Sequence, residues 1–297
     1  MTPHQLRRHG APPGEPLARR RLLFVHAHPD DEASKGAATA ARYVDEGARV
    51  TLVTCTGGEA GEILNPALAH VTSDELPAVR AEELRASVDV IGFAATYLLG
   101  YPDSGWYEDL ADVPAGTFWH VELDEAAARL ASVLRLERPQ VVVTYPEDGG
   151  YPHPDHIKVH AVTMRAVELA ADPDHAPDTP PWATMRVYAS TVYPLAKLVA
   201  LHDAHEAAGL PSPFAEWLKR RADDEPAPNV VVQVGAWLAR RDAALLAHAT
   251  QVDPAGPWFA HDRDIELRVA PYEAFLFLQG QDAMAVGEHD LFAGLDL

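Results

Sequence analysis

Strand-like and helix-like segments alternate along residues 22–160 of this 297-residue chain, and this alternation constrains its fold more than any other feature. Short runs rich in valine and leucine are typical of buried parallel strands. Between these runs, apolar residues recur at helical spacing, as in Ala37, Ala40, Ala41 and Val44. Such an order builds βαβ units, so we predict an α/β fold with a mostly parallel sheet and helices on both faces.

The segments divide the chain into three parts. Strands are predicted at 22–27, 49–54, 96–99 and 140–145, and helices at 37–47, after Pro77 and at 122–137. From about residue 176 prolines cluster and the pattern loosens, leaving one clear strand at 229–234. We therefore expect a mobile leader over 1–21, a catalytic domain over 22–175, and a smaller helix-rich C-terminal extension over 176–297 that caps the active-site pocket.

The net charge and the cysteine content argue against several kinds of binding partner and indicate the compartment. The net charge of −20 argues against binding to nucleic acid or to an anionic membrane surface. The single cysteine, Cys55, excludes an internal disulfide and suits a reducing cytoplasm. No apolar run approaches the ~20 residues needed to span a bilayer. We expect a cytoplasmic enzyme acting on a small molecule, with homo-oligomerisation left open.

Two clusters of histidine and acidic residues follow predicted strands. They are "HAHPDDE" at 26–32 and "YPEDGGYPHPDHIKVH" at 145–160. Ligands of parallel sheets bind at the carboxyl ends of the strands, where both clusters lie. Imidazole and carboxylate are ligands of Zn²⁺, and catalytic zinc sites use three protein ligands. His28 and Asp31, three residues apart across a proline turn, could reach one ion, and His156 could supply the third ligand.

An ordinary turn is the alternative interpretation of the first cluster, with Asp30 or Asp31 capping the next helix. Capping requires only one acid, whereas this turn carries three in succession. Two such clusters at one edge of a sheet favour a metal site. Iron(II) could occupy a site of two histidines and one aspartate as well as zinc.

The motif Ala27-His28-Pro29-Asp30-Asp31-Glu32 resembles the signature of the LmbE-like, or N-acetylglucosaminyl-phosphatidylinositol de-N-acetylase, superfamily. The stretch 153–156, "HPDH", resembles its second motif. "SKGAAT", "TGGEAGEILNP", "DSG", "DGGYPHPDHI" and "AHATQVDP" are similar to the mycothiol S-conjugate amidases within it. The resemblance implies a Rossmann-like fold and zinc-dependent removal of acyl groups from amino-sugar nitrogen.

The resemblance also implies a role for each matching residue. The zinc ligands fall on His28, Asp31 and His156. The general base falls on Asp30, and the histidine that stabilises the tetrahedral intermediate and protonates the departing amine falls on His153. Asp155 would orient or electrostatically tune His153, and Tyr151 would donate to the oxyanion. The substrate-binding positions fall on Lys35, Glu62, Arg80 and Asp103.

The implied reaction is hydrolysis of the cysteinyl–glucosamine amide of mycothiol S-conjugates. It would release glucosaminyl-inositol and an N-acetylcysteine S-conjugate, which is a detoxification step. Two alternatives share the chemistry: the N-acetylglucosaminyl-inositol deacetylase of mycothiol biosynthesis, and a paralogue that processes a thiol-conjugated natural product. A further alternative is a non-catalytic sugar-binding protein. The base at Asp30, next to a metal ligand, argues against it because binding alone would not require such a base.

Overall fold

The computed structural model describes residues 4–8, 18–219, 226–281 and 289–297. Its strands are β1 (His4–Arg8), β2 (Arg21–His26), β3 (Arg49–Thr56), β4 (Ala95–Tyr101), β5 (Val141–Thr144), β6 (Arg186–Thr191), β7 (Val230–Gln233) and β8 (Tyr272–Gly280). Its α-helices are α1 (Asp31–Ser34), α2 (Ala37–Asp45), α3 (Leu76–Ile91), α4 (Leu123–Glu137), α5 (Pro154–Ala171), α6 (Leu195–Ala207), α7 (Ala215–Leu218), α8 (Leu238–Ala247) and α9 (Arg263–Val269).

The strands form one sheet in the order β1-β4-β3-β2-β5-β6-β8-β7. Neighbours from β4 to β6 are parallel, whereas β1 and β8 run antiparallel to the strands beside them. The predicted α/β fold with a mostly parallel sheet is confirmed. The order reverses between β2 and β5, and the loops after these two strands carry the two clusters singled out in the sequence. Such a switch point opens a crevice at the carboxyl edge of a sheet.

Side chains of β2 alternate between two apolar layers because successive residues of a strand face opposite ways. Leu22 and Phe24 are buried in a layer that includes residues of α2, α3 and α8. Leu23 and Val25 are buried in the other layer, against α4 and α5. The central strand is therefore covered on both faces, which explains its continuous apolar run.

Two parts of the chain differ from expectation. The segment predicted as a mobile leader contains β1, which pairs with β4, while residues 1–3 and 9–17 lie outside the described residues. The C-terminal extension contains helices α6–α9, as expected, but its strands β6, β8 and β7 continue the main sheet. Of these only β7 was predicted. Among the described helices, none combines the length and apolar character needed to cross a membrane.

Candidate metal and catalytic site

The turn between β2 and α1 directs three polar side chains to one place. Asp30 has a φ of 102°, which residues other than glycine rarely adopt, and such strained positions cluster at functional sites. The Asp30 N–H donates to Glu32 Oε2 at 3.0 Å, which helps to hold this conformation. The turn brings His28, Asp30 and Asp31 to the wall of one cavity.

The loop between β5 and α5 supplies the histidines from the opposite side. His153 is the N-cap of α5, and its Nδ1 accepts the N–H of Asp155 at 3.2 Å. His156 Nδ1 lies 3.1 Å from the carbonyl of Gly149, which can only accept a hydrogen bond. Nδ1 of His156 therefore carries the proton, and Nε2 is left with a lone pair that can bind a metal.

Asp31 links the two loops. Its Oδ2 lies 3.4 Å from His28 Nδ1 and 3.5 Å from His156 Nε2. Ligand atoms about 2.0–2.2 Å from a tetrahedral zinc ion are themselves roughly 3.3–3.6 Å apart, and both distances from Asp31 Oδ2 fall in that range. His156 Nε2 is buried and has no hydrogen-bond partner among the described residues, as expected of an atom that awaits a ligand. These donors fit a zinc ion.

Among the described residues, two groups of three bring one ligand atom each within 4.8 Å of one another, and Asp31 belongs to neither group. One is His28, His153 and His156, and the other is His28, Asp103 and Asp155. His28 belongs to both groups, so the structure places it at the centre of the candidate metal site. The third ligand beside His28 and His156 is then either Asp31 or His153.

The electrostatics of the site favour a bound cation. Burial alone would raise the pKa of Asp31, but Lys35 and His156 hold this pKa well below its usual range. Burial would lower the pKa of His28, yet Asp103 and Asp155 raise it well above the ordinary value. Carboxylates that stabilise a proton on an imidazole also stabilise a metal ion there. The pKa of His156 is lowered, chiefly by burial, which keeps this ring neutral and able to coordinate.

Arg80 holds the candidate base. Its buried guanidinium donates from Nη2 to Asp30 Oδ2 at 2.8 Å and to the carbonyl of Pro29, and from Nη1 to the carbonyl of Gly58 at 2.6 Å. Burial raises the pKa of Asp30 although Arg80 opposes the shift. A more basic carboxylate accepts a proton more readily. Arg80, expected to bind substrate, also positions Asp30.

His153 and Tyr151 lie in the cavity wall and are uncharged hydrogen-bond donors. Burial, with His28 and His156 nearby, lowers the pKa of His153 to about 3, so its free Nε2 carries the ring's only proton at neutral pH. Partial burial and the carboxylates of Asp31 and Asp30 raise the pKa of Tyr151, which keeps its hydroxyl protonated. Both groups can therefore donate a hydrogen bond to developing negative charge.

The carboxylate of Asp155 lies next to His28. It accepts a hydrogen bond from Ser104 N–H at 3.0 Å and lies 3.2 Å from His28 Nε2. The reason is the N-cap geometry, in which His153 binds the backbone N–H of Asp155 and leaves the carboxylate facing β2. Asp155 therefore fixes the proton of His28 on Nε2 and leaves Nδ1 facing Asp31, as carboxylates commonly do behind metal-binding histidines.

The predicted substrate-binding residues share one cavity of about 690 Å³, in the size range of small-molecule sites. Its walls include Asp30, Tyr151, His153 and all four of these residues, namely Lys35, Glu62, Arg80 and Asp103. The C-terminal extension contributes Leu245, Gln251, Val252 and Trp258. Lys35 Nζ lies 2.5 Å from Asp31 Oδ1, so the structure pairs it with a candidate ligand.

Two further contacts had no role in the sequence interpretation. The hydroxyl of Tyr145 donates to Asp31 Oδ2 at 2.6 Å and accepts from Ala27 N–H. Glu32 Oε1 lies 2.6 Å from His248 Nε2, which connects the metal-site turn to the C-terminal extension. Tyr145 ends a predicted strand and His248 lies in "AHATQVDP", so both positions could have been singled out.

Comparisons with known proteins agree on the type of chemistry. The family model described as PIG-L, GlcNAc-PI de-N-acetylase, matches residues 23–167. The mycothiol S-conjugate amidase of Streptomyces coelicolor is 42% identical over 286 residues, which are 93% of this chain and 97% of that protein. The 1D-myo-inositol 2-acetamido-2-deoxy-alpha-D-glucopyranoside deacetylase of Geodermatophilus obscurus is 46% identical over 291 residues, with coverage of 93% and 98%.

Among solved structures, the N,N'-diacetylchitobiose deacetylase from Pyrococcus horikoshii superposes with a TM-score of 0.58 at 19% identity. The match covers 87% of this chain and 84% of that one. At this identity the likeness concerns the fold.

Proposed function

Because this chain belongs to the PIG-L family of GlcNAc-PI de-N-acetylases and is an amide hydrolase, we propose that it cleaves the cysteinyl–glucosamine amide of mycothiol S-conjugates. The products would be glucosaminyl-inositol and an N-acetylcysteine S-conjugate. The observation that carries the proposal is that His28 and His156 both approach Asp31, next to Asp30 at the wall of the 690 Å³ cavity. The proposed compartment is the cytoplasm, which rests on the sequence argument from the single cysteine.

For the metal, we propose zinc held by His28, Asp31 and His156. We prefer Asp31 to His153 as the third ligand because Asp31 Oδ2 lies 3.4 Å from His28 Nδ1 and 3.5 Å from His156 Nε2, the separation expected of atoms bound to one zinc ion. His153 Nδ1 is already occupied by the N–H of Asp155. When bound there, zinc would polarise the amide carbonyl and make water more acidic.

The protein groups supply proton transfer and charge stabilisation. Asp30, fixed by Arg80, takes a proton from the attacking water. The hydroxyl of Tyr151 and Nε2–H of His153 donate to the oxygen that becomes negative in the transition state. Since His153 is neutral, the proton for the departing amine is assigned to Asp30, which holds one after water attacks. This differs from the role that the family resemblance implied for His153.

A second candidate, deacetylation of N-acetylglucosaminyl-inositol, is favoured by the 46% identity to the deacetylase of Geodermatophilus obscurus. The two activities can be distinguished by measuring kcat/KM for a bimane conjugate of mycothiol and comparing it with kcat/KM for N-acetylglucosaminyl-inositol. The proposal requires the conjugate to be the better substrate. Preference for the acetyl substrate would overturn the amidase assignment in favour of the deacetylase.

Lys35 offers a sharper test of the two activities. A cation on Asp31 would compete with the ammonium for this carboxylate and leave Lys35 to bind oxygen acceptors on the acyl side. An acetyl group offers fewer such acceptors than an N-acetylcysteinyl group. Lys35→Ala is expected to lower kcat/KM for the conjugate about ten- to a hundredfold, with little change in deacetylation. Equal losses on both substrates would show that Lys35 supports Asp31 instead.

A further inference from the structure

Glu32 is a buried carboxylate in the turn that carries the candidate base, and donors from three parts of the chain converge on it. His248, which follows α8 in the C-terminal extension, places its Nε2 2.6 Å from Glu32 Oε1. The hydroxyl of Ser87 on α3 donates to the same oxygen at 2.5 Å. The other oxygen, Oε2, accepts the backbone N–H of Asp30 at 3.0 Å. Glu32, Ser87 and His248 are each at most 1% exposed, so water does not compete for these contacts.

The contact with Oε2 fixes the backbone of the base. Asp30 has a φ of 102°, and a residue other than glycine keeps such a strained conformation only when its surroundings impose it. Arg80 holds the carboxylate of Asp30, whereas Glu32 holds its backbone. A small misplacement of a reacting group is enough to cost much of the rate. The orientation of the base therefore depends on where Glu32 is held.

The backbone that carries the His248 ring is anchored by contacts of its own. Two residues farther on, Thr250 donates through its N–H and its hydroxyl to the carboxylate of Glu83, at 2.7 Å each. Asn65 Nδ2 donates to the carbonyl of Ala249 at 2.9 Å. Replacing the ring of His248 should therefore remove the contact of the ring without releasing the segment.

The ring directs its hydrogen bond at the metal-site turn. An ionised carboxylate can only accept, so Nε2 of His248 carries the proton of this contact. Nδ1 is buried and has no hydrogen-bond partner among the described residues. Resting on the proposed function, in which Asp30 is the base, we propose that His248 is a positioning residue for the reaction. By holding Glu32, it keeps the backbone of Asp30 in the conformation that directs the base toward the attacking water.

The test replaces the ring with and without a donor. His248→Leu removes the hydrogen bond, whereas His248→Gln keeps an N–H that can reach Glu32. Thr250→Val is the matched control, because it removes a buried hydrogen bond to a carboxylate from the same segment but leaves Glu32 untouched. Each protein is assayed for kcat and KM on the parent's better substrate, either the bimane conjugate of mycothiol or N-acetylglucosaminyl-inositol. Zinc content and unfolding temperature are measured on the same preparations.

We expect His248→Leu to lower kcat at least about tenfold, the loss expected when a hydrogen bond to a charged group is removed, with KM within about twofold and zinc retained. His248→Gln should recover most of kcat, and Thr250→Val should keep kcat within about twofold. Made in Asp30→Ala, the change His248→Leu should lower kcat by less than about twofold. A residue that acts through the base has nothing to position once the base is gone.

The comparison of the two backgrounds decides the role of the ring. A loss of kcat in His248→Leu that disappears in Asp30→Ala supports the inference. No loss, an equal loss in both backgrounds or in Thr250→Val, a loss of zinc that accounts for the lost activity, or a His248→Gln no faster than His248→Leu overturns it. Near-normal turnover in Asp30→Ala overturns it too, whereas a parent that cleaves neither substrate overturns the proposed function itself. Should His248→Leu fail to fold, Ser87→Ala, which removes the other donor to Glu32 Oε1, decides by the same comparison.

Discussion

The contact between Arg80 and Asp30 can be broken without changing either residue. Gly58 has a φ of +67°, and a Cβ at this position would lie 2.5 Å from Cζ of Arg80 and 3.0 Å from its Nε. The distance to Cζ is shorter than real Cβ contacts allow and the distance to Nε is tight, so the guanidinium must move in Gly58→Ala. Gly209 has nearly the same φ, +70°, with no atom within 4 Å of its Cβ position. Gly209→Ala is therefore a matched control for backbone strain.

The magnitude follows from the contacts that Arg80 makes. Left-handed strain costs both variants about 1–2 kcal/mol, which should lower their unfolding temperatures by roughly 2–8 °C. Only Gly58→Ala also displaces Arg80 from Asp30 Oδ2 and from two carbonyl oxygens. One charge-assisted hydrogen bond contributes about 1.5–3 kcal/mol, so losing the one that positions Asp30 corresponds to roughly a ten- to hundredfold fall in kcat.

The assay is steady-state hydrolysis of the preferred substrate, with metal content and unfolding temperature measured on the same preparations. Gly209→Ala should retain kcat within about twofold, because it lies outside the site. Equal kcat in the two variants would refute the idea that Arg80 positions the base. A loss of metal in Gly58→Ala alone would show that the contact supports the ion instead.

Three further outcomes are expected. Replacing any one of the proposed ligands, as in His28→Ala, Asp31→Ala or His156→Ala, should lower activity and also the zinc content measured by elemental analysis, because a site missing one ligand holds the ion poorly. A variant that keeps its full zinc content would remove that residue from the ligand set. Asp30→Ala should keep its zinc but turn over at least about a hundredfold more slowly, and near-normal turnover would place the base elsewhere. Tyr151→Phe, which removes a hydroxyl kept protonated by its raised pKa, should lower kcat roughly ten- to a hundredfold with KM little changed; an effect on KM alone would contradict a transition-state role.

The central part of the fold could be predicted because its signals are local. The run Val141–Val143 is buried on both faces, and the helix before it repeats apolar residues at helical spacing. Parallel pairing then forces the ends of β2 and β5 together. The proximity of His28 and His156 follows from this topology, although they are far apart in the chain.

The rest depends on long-range contacts that leave no local pattern. β8 is only partly buried along its length, and its insertion between β6 and β7 depends on pairing with strands distant in sequence. The contact of Arg80 with Asp30 joins residues 50 positions apart. The contact of the Asp155 carboxylate with His28 depends on the exact residue at which α5 begins. A sequence pattern cannot locate the start of a helix to one residue.

The place of β8 in the sheet has a consequence for synthesis on the ribosome. β7 leaves the ribosome before β8, yet β8 is the strand that joins it to β6. Until residues 272–280 emerge, the edge of β6 is open to pairing with other chains, and β7 awaits its neighbour. The nascent protein therefore carries both histidine clusters without the completed sheet while residues 161–280 are made. Folding of this half therefore waits for β8, and a chaperone that shields the edge of β6 until then would favour correct pairing.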